Sequence, residues 1–130
     1  MKIGVITDCF GLPVDQAIVR ASALGFDGVQ IYATTGAFSP DALDAAARKS
    51  YRELLKKNNL EVSALCGDLG GHGFEVAEDN PEKIRKTKEI IDLAVKMETS
   101  VVTTHIGVIP EDTQCEKYKV MLSASVLTGS

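Results

Sequence analysis

Apolar and polar positions along the chain change period repeatedly, and the changes define its elements. Lys2-Ile3-Gly4-Val5-Ile6-Thr7 is a short run rich in β-branched residues and predicts a strand. Pro13 suits a first helical position, and Val14, Ala17, Ile18, Ala21 and Leu24 follow at spacings of three to four, one face of a helix. Gly25 predicts its stop, since glycine takes the left-handed cap conformation without penalty. Gly28 to Tyr32 predicts a second strand. Ser39-Pro40-Asp41 reads as the start of a second helix, with Leu43, Ala47, Tyr51, Leu54 and Leu55 as its buried stripe and Asn58-Asn59 as its end. Glu61 to Cys66 predicts a third strand. Asn80-Pro81-Glu82 starts a third helix, with Ile84, Thr87, Ile91, Ala94 and Val95 facing the core. Ser100 to His105 predicts a fourth strand, and Glu116 to about Leu127 a last helix.

Strands separated by helices in this way must run parallel, because a tight hairpin cannot return the chain in the same direction. The strand starts near residues 2, 28, 61 and 101 define a structural repeat without a sequence repeat. No linker or domain boundary interrupts it, so residues 1–130 read as a single domain. Loops entering the strands are short, whereas those leaving them, 33–38 and 67–79, are long. Long loops at the carboxyl ends of parallel strands are where α/β proteins place their chemistry. Two architectures fit four βα units: half of a (β/α)8 barrel, or a small flavodoxin-like sheet, which normally has five strands.

Composition narrows the function. The 130 residues are 45% hydrophobic and 25% charged, ordinary for a globular protein. The net charge of −4 argues against a nucleic-acid partner, which needs a basic footprint. No apolar run approaches a membrane span, and Asp8 interrupts the N-terminal run too soon for a signal peptide. Cys9, Cys66 and Cys115 are odd in number and lack a Cys-x-x-Cys spacing, which suits a reducing cytoplasm.

Three segments resemble a known family. Gly25-Phe26-Asp27-Gly28-Val29-Gln30-Ile31 resembles the second-strand segment of sugar phosphate isomerases and epimerases of the xylose isomerase-like TIM-barrel superfamily. Leu60 to Cys66 is similar to the family's third strand, and Val101-Val102-Thr103-Thr104-His105-Ile106-Gly107 to its fourth, which ends in His-x-Gly. Together they span residues 1 to about 124 but match only the N-terminal half of a family member. The fold implied is α/β, a parallel (βα)4 half of a TIM (β/α)8 barrel. The activity implied is metal-assisted aldose–ketose isomerisation or epimerisation through an enediol.

The resemblance also shows what is missing. Family members hold a divalent metal, Mn, Mg or Zn, with two Glu, one Asp and one His, and those residues lie in the second half. None can be carried onto this chain. Gln30 stands where the family usually has Glu, Glu98-Thr99-Ser100 lacks the usual turn glycine, and Ser125 to Ser130 is unlike the family's continuation. A truncated product, inactive alone or dependent on a partner, is the expectation.

What remains is the first half's share of a pocket for a sugar or sugar phosphate: Asp8, Tyr32, Asp68, His72 and His105. His105 ends the fourth strand, where an imidazole can bind a sugar hydroxyl or a metal. The endonuclease branch of the superfamily uses a His there for zinc, which makes His105 the one metal-ligand candidate; a histidine hydrogen-bonded within the fold is the alternative. His72 lies in a loop with four glycines in residues 67–74, either a mobile surface loop or a substrate lid. Asp8 and Asp68 can bind a hydroxyl or act as a base, or instead cap their own loops. Tyr32 and Phe10 can wall a sugar pocket or pack into the core. Cys9 and Cys66 read as small buried apolar groups. In half a barrel the inner strand face, read as apolar, and two strand edges lack partners, which predicts a homo-oligomer or completion by a C-terminal half.

Overall fold

The computed structural model describes residues 1–129. Four strands, β1 (Gly4–Ile6), β2 (Gly28–Tyr32), β3 (Glu61–Cys66) and β4 (Val102–Thr103), alternate with four helices, α1 (Val14–Ala23), α2 (Ala45–Lys57), α3 (Asn80–Lys96) and α4 (Glu116–Gly129). The strands form one parallel sheet in the order β1-β2-β3-β4.

That order separates the two architectures. A flavodoxin-like sheet reverses direction after its first strands (2-1-3-4-5) and so carries helices on both faces. Here every crossover steps the same way. Since such crossovers are right-handed, the three crossover helices α1, α2 and α3 fall on one face, as in a barrel wall. The core agrees. Ile18 and Ala21 of α1, Leu55 of α2, and Ile90, Leu93 and Ala94 of α3 pack in one cluster against Val29, Ile31, Val62 and Leu65. The chain is therefore the (βα)4 half of a (β/α)8 barrel in architecture.

The opposite face, the inside of a barrel, is not the apolar lining the sequence implied. Pairing places Gly4 beside Gly28, Ile6 beside Gln30 and Ala64, and Tyr32 beside Cys66 and Thr103. A Cβ on Gly4 would lie 3.5 Å from Ser63 Oγ and 3.3 Å from the Gly28 carbonyl oxygen, so this floor is built for small residues. Gln30 Nε2 donates to Thr103 Oγ1 at 2.9 Å, reaching across β3. The inner face thus mixes small residues (Gly4, Gly28, Ala64) with polar ones (Gln30, Thr103), and of the residues named Ile6 is the one large aliphatic side chain on it. A bulge between Val29 and Gln30 in the β2–β3 register makes this possible: Val62 and Leu65, three residues apart, both reach the helix side.

Several local expectations shift. β1 and β4 are shorter than the runs 2–7 and 100–105, because each has a partner on one side only among the described residues and Thr7 turns into a 3-10 turn (Thr7–Phe10). α2 begins at Ala45, not near Ser39. Ser39 closes a separate turn, its carbonyl accepting from the Ala42 and Leu43 N–H groups, and Phe38 and Leu43 insert into the core. Asp44 then caps the helix, Oδ1 accepting from the Ala47 N–H at 2.7 Å. Leu24 and Val95, read as core-facing, are 52% and 72% exposed; Ile90 and Leu93 supply the α3 stripe instead. Gly25 (φ +83°) and Asn59 (φ +53°) close α1 and α2 as expected.

Candidate functional site

The carboxyl ends of β1, β2 and β3 bring three of the five candidate residues together. Tyr32 ends β2 with Cys66 as its register partner on β3. The neighbouring Cys66, through electrostatics and a hydrogen bond, then burial, then the charges of Asp8 and Asp68, raise the Tyr32 phenol above its ordinary value. Tyr32 is therefore a neutral hydroxyl donor flanked by two carboxylates. Asp8 opens from the turn after β1, exposed, and its side chain makes no hydrogen bond or ion pair among the described residues. Asp68 follows β3, and its Oδ1 accepts from the Gly70 N–H at 2.9 Å. It caps its own loop and still faces Tyr32.

His105 follows β4, exposed, on the rim of a crevice formed with Leu69, Gly70, Phe74 and Lys83. Among the described residues no group of three or more His, Cys, Asp or Glu converges to hold a metal ion. His105 thus has no companion ligands within this chain, and the donor set does not fit a complete metal site.

His72 stands apart from these residues. Its loop is fastened rather than loose. The Phe74 N–H donates to the Ile106 carbonyl at 3.0 Å, and Asn80 Nδ2 donates to the Phe74 carbonyl at 3.0 Å. Gly73 (φ +59°) lies so close that a Cβ there would fall 2.2 Å from the Ile106 carbonyl carbon. His72 itself sits beside Glu75. The Glu75 carboxylate takes Lys117 Nζ at 2.7 Å and the Val108 N–H at 2.6 Å. The Lys117 hydrogen bond and then the Val108 N–H hold the Glu75 pKa below the usual carboxylate range against the opposing effect of burial, with smaller help from the Lys117 charge and the nearby His72. This node joins the β3 loop to the β4 loop and α4.

Sequence reasoning passed over Thr103 and treated Gln30 only as a missing carboxylate; both lie on the open inner face of the sheet. Alternation along β2 and β4 could have placed them on one face, but not their mutual hydrogen bond. Cys66 is buried as expected and serves the site through Tyr32, whereas Cys9 is exposed, being in the turn rather than the strand.

A one-sided parallel sheet whose helices cover one face is the geometry of a barrel wall. Residues 18–125 match the family of xylose isomerase-like TIM barrels, and the chain belongs to it. Among curated relatives it is similar to fructoselysine 3-epimerase of Shigella flexneri, 28% identical over 99 residues, which covers 75% of this chain and 36% of the relative. Its fold is similar to that of a xylose isomerase domain protein from Planctomyces limnophilus (TM-score 0.74, 22% identity, 95% of this chain and 47% of the other). A D-tagatose 3-epimerase-like protein shares it too (TM-score 0.70, 18% identity, 98% and 46%). The chain thus spans about a third of the length of the curated relatives it matches and about half of the length of these two solved structures. None of its helices is long and apolar enough to cross a membrane, among the described residues.

Proposed function

We propose that this chain is the N-terminal half of an epimerase- or isomerase-type sugar site, binding a polyhydroxylated substrate such as a ketose or its phosphate. The observation that carries the reading is the gathering of Asp8, Tyr32 and Asp68 at one end of an open-faced parallel sheet. Carboxylates accept hydrogen bonds from sugar hydroxyls, and the neutral Tyr32 hydroxyl donates one. The Tyr32 ring offers a flat apolar surface to sugar C–H groups. Gln30 and Thr103 satisfy one bond of each other and keep the Gln30 carbonyl oxygen for a ligand hydroxyl. His105 adds a donor or acceptor at the fourth strand. The epimerase relatives support a sugar-derived substrate, and the three free thiols suit a cytoplasmic location.

Turnover needs more than this wall. Enediol chemistry requires a base and an acid on either side of one carbon, within hydrogen-bond reach. Here Asp68 is tied to its own loop, and the opposite wall is absent from the fold described. The wall described here supplies binding groups but not both members of such an acid–base pair. The metal that the family implies would need ligands from that other wall, so no step is assigned to it.

The test is a titration of the protein with D-fructose and D-fructose 6-phosphate, followed by backbone amide resonances. Shifts at Asp8, Tyr32, Cys66 to Asp68 and His105 are expected. Shifts confined to the helix exterior, or none at saturating sugar, would overturn the reading.

A further inference from the structure

The two open edges of this sheet fit each other, and we infer that a second copy of the chain closes the barrel, β4 of each copy pairing in parallel with β1 of the other. The inference extends the sugar-site reading, but neither its argument nor its test depends on sugar binding.

The edges have the right hydrogen-bonding parity. The Ile3 N–H donates to Asp27 Oδ2 at 2.8 Å and its carbonyl accepts from the Asp27 N–H at 2.8 Å. Backbone groups alternate sides along a strand, so Gly4 and Ile6 turn theirs to the open edge. At the far edge the Val101 carbonyl accepts from the Leu65 N–H and the Thr103 carbonyl from the Gly67 N–H. Val102 and Thr104 therefore face outward.

Register follows from barrel geometry. The row Ile31, Leu65, Val102 meets β1 at the position of Thr7, one beyond the Ile6–Gln30 pair. Strands in an eight-stranded barrel stagger by about eight residues per circuit, hence about four across half of it. Strands leaning right-handedly around the axis carry the row toward lower residue numbers. It arrives at Ile3 of the second copy. A parallel ladder then demands that Lys2 and Gly4, the neighbours of Ile3, point toward Val102, and alternation places their backbone groups on that side. The Val102 N–H reaches the Lys2 carbonyl, and the Gly4 N–H the Val102 carbonyl. The Thr104 N–H reaches the Gly4 carbonyl, and the Ile6 N–H the Thr104 carbonyl. A two-fold axis along the barrel makes both seams identical, as an isologous dimer requires.

The helices flanking the seam agree. Lys119, Val120, Ser123 and Leu127 line the groove toward α3, which leaves Leu122 and Val126 (52% and 61% exposed) on the free flank of α4. Ser22 Oγ donates to the Asn58 carbonyl and marks the α2 side of α1. The other flank carries Leu24, 52% exposed. Leu24 caps the end of α1 and Val126 lies near the end of α4, and these two side chains supply the apolar contact across the seam. The closed barrel also brings His105 of one copy and Asp8 of the other to the same end of adjacent strands. The site is incomplete until they meet.

Sedimentation equilibrium across the micromolar range tests this on the intact chain. A mass twice 13.9 kDa is expected. Leu122→Arg, at an exposed position, should keep the circular dichroism of the parent and weaken association by about tenfold or more. Val95→Arg, on α3 and remote from both seams, should leave association unchanged. A monomer at all concentrations, or a dimer indifferent to Leu122→Arg, would overturn the inference.

Discussion

Gln30 and Thr103 sit two strands apart and are joined by one hydrogen bond, Nε2 to Oγ1 at 2.9 Å, across the inner face of β3. The bond gives the open face a fixed polar bridge that holds β2 and β4 at a set spacing. Thr103→Val removes it while keeping side-chain shape. Because the pair is solvated, urea unfolding should show a loss of about 0.5–1.5 kcal/mol. The amide shifts induced by D-fructose near Gln30 should fall as well.

Glu98 occupies the left-handed region (φ +62°) just after the α3 cap, where helices favour glycine. The sequence lacks the family's turn glycine, yet the backbone adopts the glycine conformation regardless. Glu98→Gly should therefore stabilise the chain, by about 0.5–1 kcal/mol in urea unfolding. A neutral or destabilising result would mean that the Glu98 side chain compensates for its backbone.

Two glycines with similar φ should respond very differently to alanine. Gly11 (φ +62°) has open space around its Cβ position, so Gly11→Ala bears only the left-handed penalty, about 1 kcal/mol. Gly73→Ala drives a Cβ into the Ile106–Gly107 backbone and must undock the loop. Amide exchange at Phe74, whose N–H donates to the Ile106 carbonyl, should accelerate in Gly73→Ala and not in Gly11→Ala.

Glu75 makes stability pH-dependent. Its folded pKa lies below its unfolded value of about 4.3, first because Lys117 hydrogen-bonds the charged form. The contribution is therefore complete above the unfolded pKa and disappears as pH falls through the folded one. Glu75→Gln should be less stable than the parent at neutral pH and should flatten the acid limb of the stability curve. Unfolding midpoints from pH 7 down to about 3 check this.

Much of the fold was legible because hydrophobic period is local information. The parallel βα alternation, the α1 stop at Gly25 and the start of α3 at Asn80-Pro81 all follow from a few adjacent residues. The α2 start was misplaced because two capping signals, Ser39 and Asp44, lie five residues apart, and only the burial of Phe38 and Leu43 decides between them. The character of the inner face was misread because the β2–β3 bulge resets which residues point inward, and a bulge leaves no compositional mark. In the site, Asp8 and Asp68 are legible as candidates from their strand-end positions and Tyr32 from its ring, but their approach to one another is not. Nor is the fastening of the His72 loop, since it depends on Gly73 meeting Ile106 across 33 residues of chain.

Amide exchange along the two strand edges tests the central claim, an unclosed barrel wall whose edges seek each other, most directly. Exchange at Gly4, Ile6, Val102 and Thr104 should slow together as protein concentration rises through the micromolar range, while the solvent-facing loop amide of Glu111 stays constant. Fast exchange at all four positions at every concentration would contradict it.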